Sequence, residues 1–401
     1  MKLALLGADE ESLLLADAAV CLGHEIIWWG DLAEALQGPR PCLPDADLVV
    51  QDQADQWEAL LDPRMAEGVI VGRGATPADQ RAAQVGELAK NGVAVLATFP
   101  LVESILAYYE IDMARDESGS LLQHFNPLTA HLGVVEQAAQ WIEQGHPQLG
   151  AIEQIAWERP MGQRTRERVL YHFARDVELL QHVAGRLNRL AALGSPDEQS
   201  TYAGLSVQML GESDRPVRWS IGPAEQAAGP RLTLVAERGR LTIQFDQAQR
   251  PTQLEIHQPD SSQSTPLESV NEGDVCIRRF TGALSDSTAD CSTWPEALRA
   301  MELTDTIEIS LRRGRMIDVH PQQLTEQLAF KGTMAAAGCG VLLVLPLLLA
   351  VGWIAAQEGV SLAKYWAHGL LAMLAVFLAL QLLPKLLYRA RESDDSASKD
   401  S

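Results

Sequence analysis

Three stretches of this 401-residue chain carry residue types that could do chemistry. The first is the run Gly7-Ala8-Asp9-Glu10-Glu11-Ser12, directly after the apolar residues 3–6. A strand-to-helix turn here would receive a pyrophosphate if it read Gly-x-Gly-x-x-Gly, because glycines let backbone N–H groups approach phosphate oxygens at a helix N-terminus. Only the first glycine, Gly7, is present, and Asp9 puts a carboxylate where backbone should approach the ligand. Asp9 can instead cap the helix, with Glu10 and Glu11 in its first turn, each carboxylate contributing about 0.3–1 kcal/mol against the helix dipole. Asp31, further on, stands at the distance at which an acid accepts from ribose hydroxyls.

The second stretch holds His172, Arg175 and Asp176, whose i, i+3, i+4 spacing puts them on one helical face. A histidine there can move protons near neutral pH, or the three can form a local ion-pair network. The third is the series Arg159, Arg164, Arg166 and Arg168. Forked guanidinium hydrogen bonds suit an anionic ligand, and the same residues can simply balance an acidic surface. His124 and His131 flank Asn126-Pro127 with no third ligand at metal spacing, so no metal site is expected. Cys21, Cys42, Cys276, Cys291 and Cys339 show no Cys-x-x-Cys pairing, which argues against zinc and against a disulfide framework. No Gly-x-Ser-x-Gly or Walker pattern occurs.

The elements that must position these residues alternate in the first half. Residues 3–6, 24–29, 47–50, 68–71 and 93–97 read as short buried strands separated by helical stretches, the first helix covering 11–22 before Gly23. This order predicts an α/β, Rossmann-like parallel sheet over 1–105, with Gly7, Asp31, Arg73 and Thr98 at the carboxyl ends of strands. From 106 to 325 the strand candidates are longer and more polar: 151–157, 202–210, 217–221 and 254–257. Residues 232–236 and 241–245 form a hairpin around Glu237-Arg238-Gly239-Arg240. Helices are expected over 168–193, stopped by Gly194, and over 294–313, with 259–274 a polar loop. The result is a C-terminal α+β domain with an open, mostly antiparallel sheet.

Two apolar segments, 332–357 and 365–388, each reach the roughly 20 residues that cross a hydrocarbon core, so both are expected to be transmembrane helices. A helical hairpin buried in a soluble core is the alternative. Arg312, Arg313, Arg315 and Lys331 precede the first span, and Lys385, Arg389 and Arg391 close the second. The positive-inside rule then puts both termini and the soluble domain in the cytoplasm, in a two-span protein of the cell membrane. The N-terminus shows no basic-apolar-cleavage pattern, so no secretory signal is expected. The polar tail 391–401 is expected to be disordered. A formal net charge of -21 repels phosphate backbones, which argues against a nucleic-acid partner.

The segments LALLGADEES, NGVAVLATFP and ALRAMELTDTIEISLRRGRMIDV resemble the Gfo/Idh/MocA oxidoreductases, the family of glucose-fructose oxidoreductase and inositol dehydrogenase. The resemblance covers most of residues 1–320. It implies an N-terminal NAD(P)-binding domain and a C-terminal domain whose open sheet supports the substrate site and often oligomer contacts. It would put Gly7, Asp31, Thr98 and Pro100 against the cofactor. Thr98 and Phe99 stand where the family has Glu and Lys before the proline, so the acid/base lysine is missing; Lys2 and Lys90 are the only lysines before Lys331. The family's Asp and His, four residues apart on a helix, fall on Tyr171 and Arg175 in VLYHFARDVELL, with His172 next door.

Three functions follow as expectations. The first is a membrane-anchored binding or scaffold module on a catalytically degenerate oxidoreductase fold, with no cofactor. The second is an active NAD(P)-dependent oxidoreductase on a sugar or polyol, with His172 or Tyr171 as acid/base and Asp31 on the ribose. The third is an assembly protein, a homo-oligomer through the C-terminal sheet whose hairpin localises a protein partner not identified by the sequence.

Overall fold

Apolar residues in unbroken runs form the first sheet, because strands covered on both faces have no polar side to show. The computed structural model describes residues 1–32, 54–194, 202–211, 215–224, 229–268, 270–285 and 291–319. In chain order it begins with β1 (Lys2–Ala8), α1 (Glu10–Cys21), β2 (Glu25–Leu32) and a 3₁₀ helix (Ala54–Leu61). There follow β3 (Gly68–Val71), α2 (Ala78–Lys90), β4 (Val95–Thr98), α3 (Ile105–Ser118) and β5 (Leu122–Phe125). The five strands are parallel in the order β2-β1-β3-β4-β5. Leu3, Leu5, Ile70 and Leu96 face one core with Leu13, Leu15 and Ala16 of α1. Their alternates Ala4, Leu6, Val69, Val71, Val95 and Ala97 face a second core with Val85 and Leu88 of α2. The parallel sheet thus extends past residue 105 to take in β5, a strand that the sequence reading did not include, while the strand expected at 47–50 lies outside the described residues.

The second half continues with α4 (Leu132–Gln144), β6 (Ile152–Met161), α5 (Arg166–Ala184), β7 (Leu187–Leu193), β8 (Ser206–Gly211) and β9 (Pro216–Pro223). It is completed by β10 (Arg231–Ala236), β11 (Gly239–Phe245), β12 (Pro251–Gln258), β13 (Ser261–Pro266), α6 (Glu272–Ser285), α7 (Trp294–Arg313) and β14 (Ile317–Asp318). The nine strands run β13-β12-β11-β10-β6-β9-β8-β7-β14, antiparallel throughout except for the β6/β9 pair. Ile155, Trp157, Val217, Trp219, Leu232, Leu234, Leu241 and Ile243 are buried, whereas most of their alternates are half-buried or exposed. One face of the sheet therefore carries the core, and Phe173 of α5 meets Trp219 on it edge to face, ring centroids 5.2 Å apart.

Two expectations are corrected here. The helix foreseen over 168–193 ends at Ala184, where Gly185 takes a positive φ of 80° at the cap, and the residues beyond pair as β7 with β8. The foreseen loop 259–274 contains β13, hydrogen-bonded to β12, and the start of α6, which packs on α1. α7 follows its expected bounds and touches both halves, through α3 and through α5 and β7. The described residues, up to 319, pack as one unit. No helix among the described residues is long and apolar enough to cross a membrane, and the segments 332–357, 365–388 and 391–401 lie outside them.

Candidate functional site

At the carboxyl end of β1 the turn is organised around Asp9. Its Oδ1 accepts from the Ser12 N–H at 2.7 Å and its own N–H donates to Ser12 Oγ at 2.9 Å, a reciprocal capping box with Glu10 and Glu11 in the first turn of α1. The other oxygen, Oδ2, accepts from the Arg73 N–H at 3.0 Å and from Thr98 Oγ1 at 3.2 Å. One carboxylate thus ties together the ends of β1, β3 and β4, and Thr98 is engaged by it. Capping was the reading offered by the sequence; the two longer-range contacts were not visible there.

Gly7 has φ 73°, and the space beside it is taken. A Cβ on Gly7 would stand 2.6 Å from Arg81 Nη2 and 2.6 Å from the Gly72 carbonyl. One on Gly74 would stand 2.8 Å from the Gly7 Cα. The Gly72 N–H donates to the carbonyls of Leu6 at 3.0 Å and Gly7 at 3.1 Å, so the loop after β3 lies directly on the turn. Arg81, 0 % exposed, reaches from α2 to pair with Asp31 and donates to Gln84 Oε1 at 2.6 Å. The Asp31 carboxylate also accepts from the Ala75 N–H at 3.3 Å and the Thr76 N–H at 3.1 Å. A pyrophosphate and a ribose need open backbone at the turn and a free acid beside it. These residues do not fit that requirement, because the chain's own loop and guanidinium fill the turn and saturate Asp31.

A second cluster forms where the two halves meet. Phe99-Pro100 is a cis peptide, and Phe99, only 1 % exposed, packs edge-on to His124 and Tyr108 with centroids 5.1 and 6.1 Å away. The aromatic at the resemblance's lysine position is therefore a core residue. Arg175 Nε donates to the Phe99 carbonyl at 2.7 Å and Nη2 pairs with Glu11 Oε2 at 2.5 Å. Arg73 donates to the Pro100 carbonyl through Nε at 3.1 Å and Nη2 at 2.5 Å. Both guanidinium carbons sit over the Tyr171 ring, 4.2 Å from its centroid for Arg73 and 4.3 Å for Arg175. Burial, opposed by Arg175, pushes the Tyr171 phenol up.

His172 is half-buried beside Tyr171, and its Nδ1 has no hydrogen-bond partner. Burial first, then Arg159, Arg175, Arg168 and Arg73, hold its pKa down to about 2. The imidazole is neutral at physiological pH. Tyr171, His172, Arg73 and Pro100 line a cleft of about 570 Å³ that continues along α5 and α7 to Glu103, Asp305 and Glu308. The structure brings together Tyr171, His172, Arg175 and Pro100, and leaves Gly7 and Asp31 in the separate, filled turn.

The remaining sequence candidates are engaged elsewhere. Arg175 and Asp176 do not pair with each other or with His172: Asp176 takes Arg159 Nε at 2.6 Å and Trp219 Nε1 at 2.8 Å on the sheet. Arg164 donates to three carbonyls, and Arg166 bridges Glu103 at 2.9 Å and Glu308 at 2.6 Å. Arg168 is exposed. His124 Nε2 meets Glu178 at 2.8 Å and its Nδ1 meets Thr293 Oγ1 at 2.9 Å. Although burial alone would raise the Glu178 carboxyl, His124 and Asn126 outweigh it and hold it below the ordinary range. His131 stands 3.8 Å from Glu272, which also holds Arg250 at 2.6 Å.

Arg81 and Glu11 were missed as site residues. A signal for Arg81 existed: with Val85, Leu88 and Ala89 it falls on the apolar stripe of α2. A charge on such a stripe asks for a buried partner. Glu11 gave none, since its partner lies 164 residues away.

No protein-family model and no curated protein matches the sequence. Solved structures do. A candidate NADPH-dependent oxidoreductase from Desulfitobacterium hafniense superposes with TM-score 0.63 at 16 % identity, covering 80 % of this chain and 98 % of its own. An aldose-aldose oxidoreductase from Caulobacter crescentus complexed with glycerol gives 0.61 at 13 % identity, over 79 % of this chain and 99 % of its own. An oxidoreductase from Agrobacterium radiobacter in complex with NAD+, L-tartaric acid and magnesium gives 0.58 at 13 % identity, over 80 % and 98 %. The chain is similar to these oxidoreductases in fold, across both of its sheets.

Proposed function

We propose that the chain is a Gfo/Idh/MocA-like protein whose oxidoreductase fold serves binding or scaffolding rather than hydride transfer. The observation that carries this reading is the filled turn: the Gly72-Arg73-Gly74 backbone lies on Gly7, and Arg81 consumes Asp31. Phe99 in the core and Asp9 in the turn point the same way. The apolar segments 332–357 and 365–388 support attachment to a membrane with the binding domain on the cytoplasmic side. The test is a titration of the protein with NADH and NADPH, followed by nicotinamide fluorescence and calorimetry. No binding at millimolar ligand is expected, and micromolar binding would overturn the reading.

A second reading rests on the cleft, where Tyr171 and a neutral His172 stand beside Pro100. On it the protein is an NAD(P)-dependent oxidoreductase for a sugar or polyol, with Tyr171 or His172 as the acid/base. Turnover abolished by His172→Gln would favour this alternative. A homo-oligomer through the half-covered sheet is compatible with both readings and is tested by light scattering.

A further inference from the structure

The carboxyl end of α7 and the strand after it form a surface unlike the rest of this chain, whose net charge is -21. Arg312, Arg313 and Arg315 are exposed, and none of their guanidinium groups is in an ion pair among the described residues. Arg312 donates to the Glu308 carbonyl at 3.4 Å. The acids nearest in sequence do not cancel the three: Glu308 is taken by Arg166 and Tyr202, which leaves Asp305 and Asp318. Arginines at a helix C-terminus complement its dipole, and that alone makes no site.

A second feature lies beside them. Met316 is 39 % exposed and Leu193, at the end of β7, 60 %, two of the large apolar side chains left in solvent. β14 pairs with β7 antiparallel, Ile317 with Leu190. The next step in that register sets Met316 across from Ala191, on the face of the ribbon that Leu193 shares. The turn between is held in place. The buried Ser310 Oγ accepts from the Ala192 N–H at 2.9 Å and donates to the Arg315 carbonyl at 2.8 Å, and Gly314 closes α7 with φ 60°. Exposed cations around exposed apolar side chains, fixed on one turn, match a surface that is anionic outside and apolar within. The direction of the chain supplies such a surface. From Val319 it runs on to the apolar segment that begins at Gly332, a stretch that spans at most about 45 Å when fully extended. Lys331 adds a further cation directly before that segment.

We propose that Arg312, Arg313, Arg315, Met316 and Leu193 dock the domain on the anionic phospholipid headgroups of a membrane, with the arginines on the phosphates and the two apolar side chains at the acyl boundary. The inference rests on the reading of 332–357 and 365–388 as a membrane anchor. It adds that the domain lies on the bilayer with this end down instead of hanging free on its linker. At about fivefold in affinity for each arginine near an anionic surface, the three favour the docked state by about a hundredfold.

The experiment is hydrogen-peroxide oxidation of the full-length protein reconstituted in nanodiscs, either of phosphatidylcholine alone or of phosphatidylcholine mixed with phosphatidylglycerol, read methionine by methionine by mass spectrometry. Met65 and Met113, 41 % and 45 % exposed, are the internal references. Relative to them Met316 oxidises at least about fivefold more slowly in the anionic discs than in the neutral ones, and high salt erases the difference. The triple variant Arg312→Gln, Arg313→Gln, Arg315→Gln loses the protection with its circular dichroism unchanged, since all three side chains are exposed. Equal oxidation of Met316 in both discs, or protection that survives in the triple variant, overturns the proposal and leaves the anchor standing. Release of the protein from membranes by alkali, with Met316 still shielded when vesicles containing phosphatidylglycerol are added, would reject the anchor and keep the docking surface.

Discussion

Arg81 of α2 and Asp31 at the end of β2 form a buried pair at the carboxyl edge of the parallel sheet. Taking both ions out of water costs several kcal/mol, and their attraction together with Gln84 and two backbone N–H groups offsets that cost. Removing one partner strands the other. Arg81→Met is expected to lose about 3–5 kcal/mol of stability, and Arg81→Met with Asp31→Asn to recover much of it. Urea denaturation of the single and double variants checks this, and an undisturbed midpoint for Arg81→Met would contradict it.

The turn at Asp9 is blocked twice, by its charge and by the loop lying on it. Asp9→Gly removes the charge and supplies the second glycine of the phosphate pattern, yet Gly74 and Arg81 still occupy the space beside Gly7. The variant is expected to gain no measurable NADH affinity in fluorescence titration. It should lose about 1–2 kcal/mol through the cap and the bonds to Arg73 and Thr98.

His172 links stability to pH with a definite sign. Its folded pKa lies at about 2 against an ordinary 6.5, so on acidification the unfolded chain takes up this proton first. Its contribution is complete above about pH 6.5 and is lost as pH falls below that, by at most about 1.4 kcal/mol per pH unit. Glu272, also held at about 2 because His131 and Arg250 outweigh the effect of its burial, acts only below the ordinary carboxylate range. Between neutrality and pH 5 the Glu272 carboxylate therefore adds nothing to the slope that His172 sets. Melting temperatures there should fall less steeply for His172→Gln than for the parent; parallel slopes would count against the assignment.

Membrane attachment through 332–357 and 365–388 predicts that the protein stays in the pellet after alkaline extraction, and that deleting 332–388 releases it to the supernatant. Release of the intact protein by alkali would reject integral insertion.

Much of the parallel sheet with its helices was legible because its signals are local. Residues 68–71 are apolar on both faces and became β3 within those bounds, and Asp9 as the cap of α1 needs no tertiary information, the Ser12 half of the box being added by the structure. The hairpin of β10 and β11 was readable from its turn and alternation. Less could be read where one pattern serves two structures. Residues 187–193 continue a helical pattern as well as a strand, and pairing with β8 decided between them. Serines and glutamine in β13 hide a strand exposed at a sheet edge, where the ladder with β12 rather than burial supplies the stabilisation. The site was the least legible part. Its contacts join residues as far apart as Glu11 and Arg175, or Asp9 and Thr98, and no periodicity encodes such distances.

The contacts that meet at Tyr171 also bear on motion. Arg73 comes from the loop after β3, Arg175 from α5, and the second holds both the Phe99 carbonyl and Glu11 of α1. Swinging the two halves apart would expose a buried guanidinium and break a carbonyl bond and an ion pair together, while α6 on α1 and α7 on α3 brace the same seam. The joint behaves as a weld rather than a hinge. A molecule entering the cleft meets walls already in position, so its residence is governed by the contacts it makes and not by the opening and shutting of a jaw.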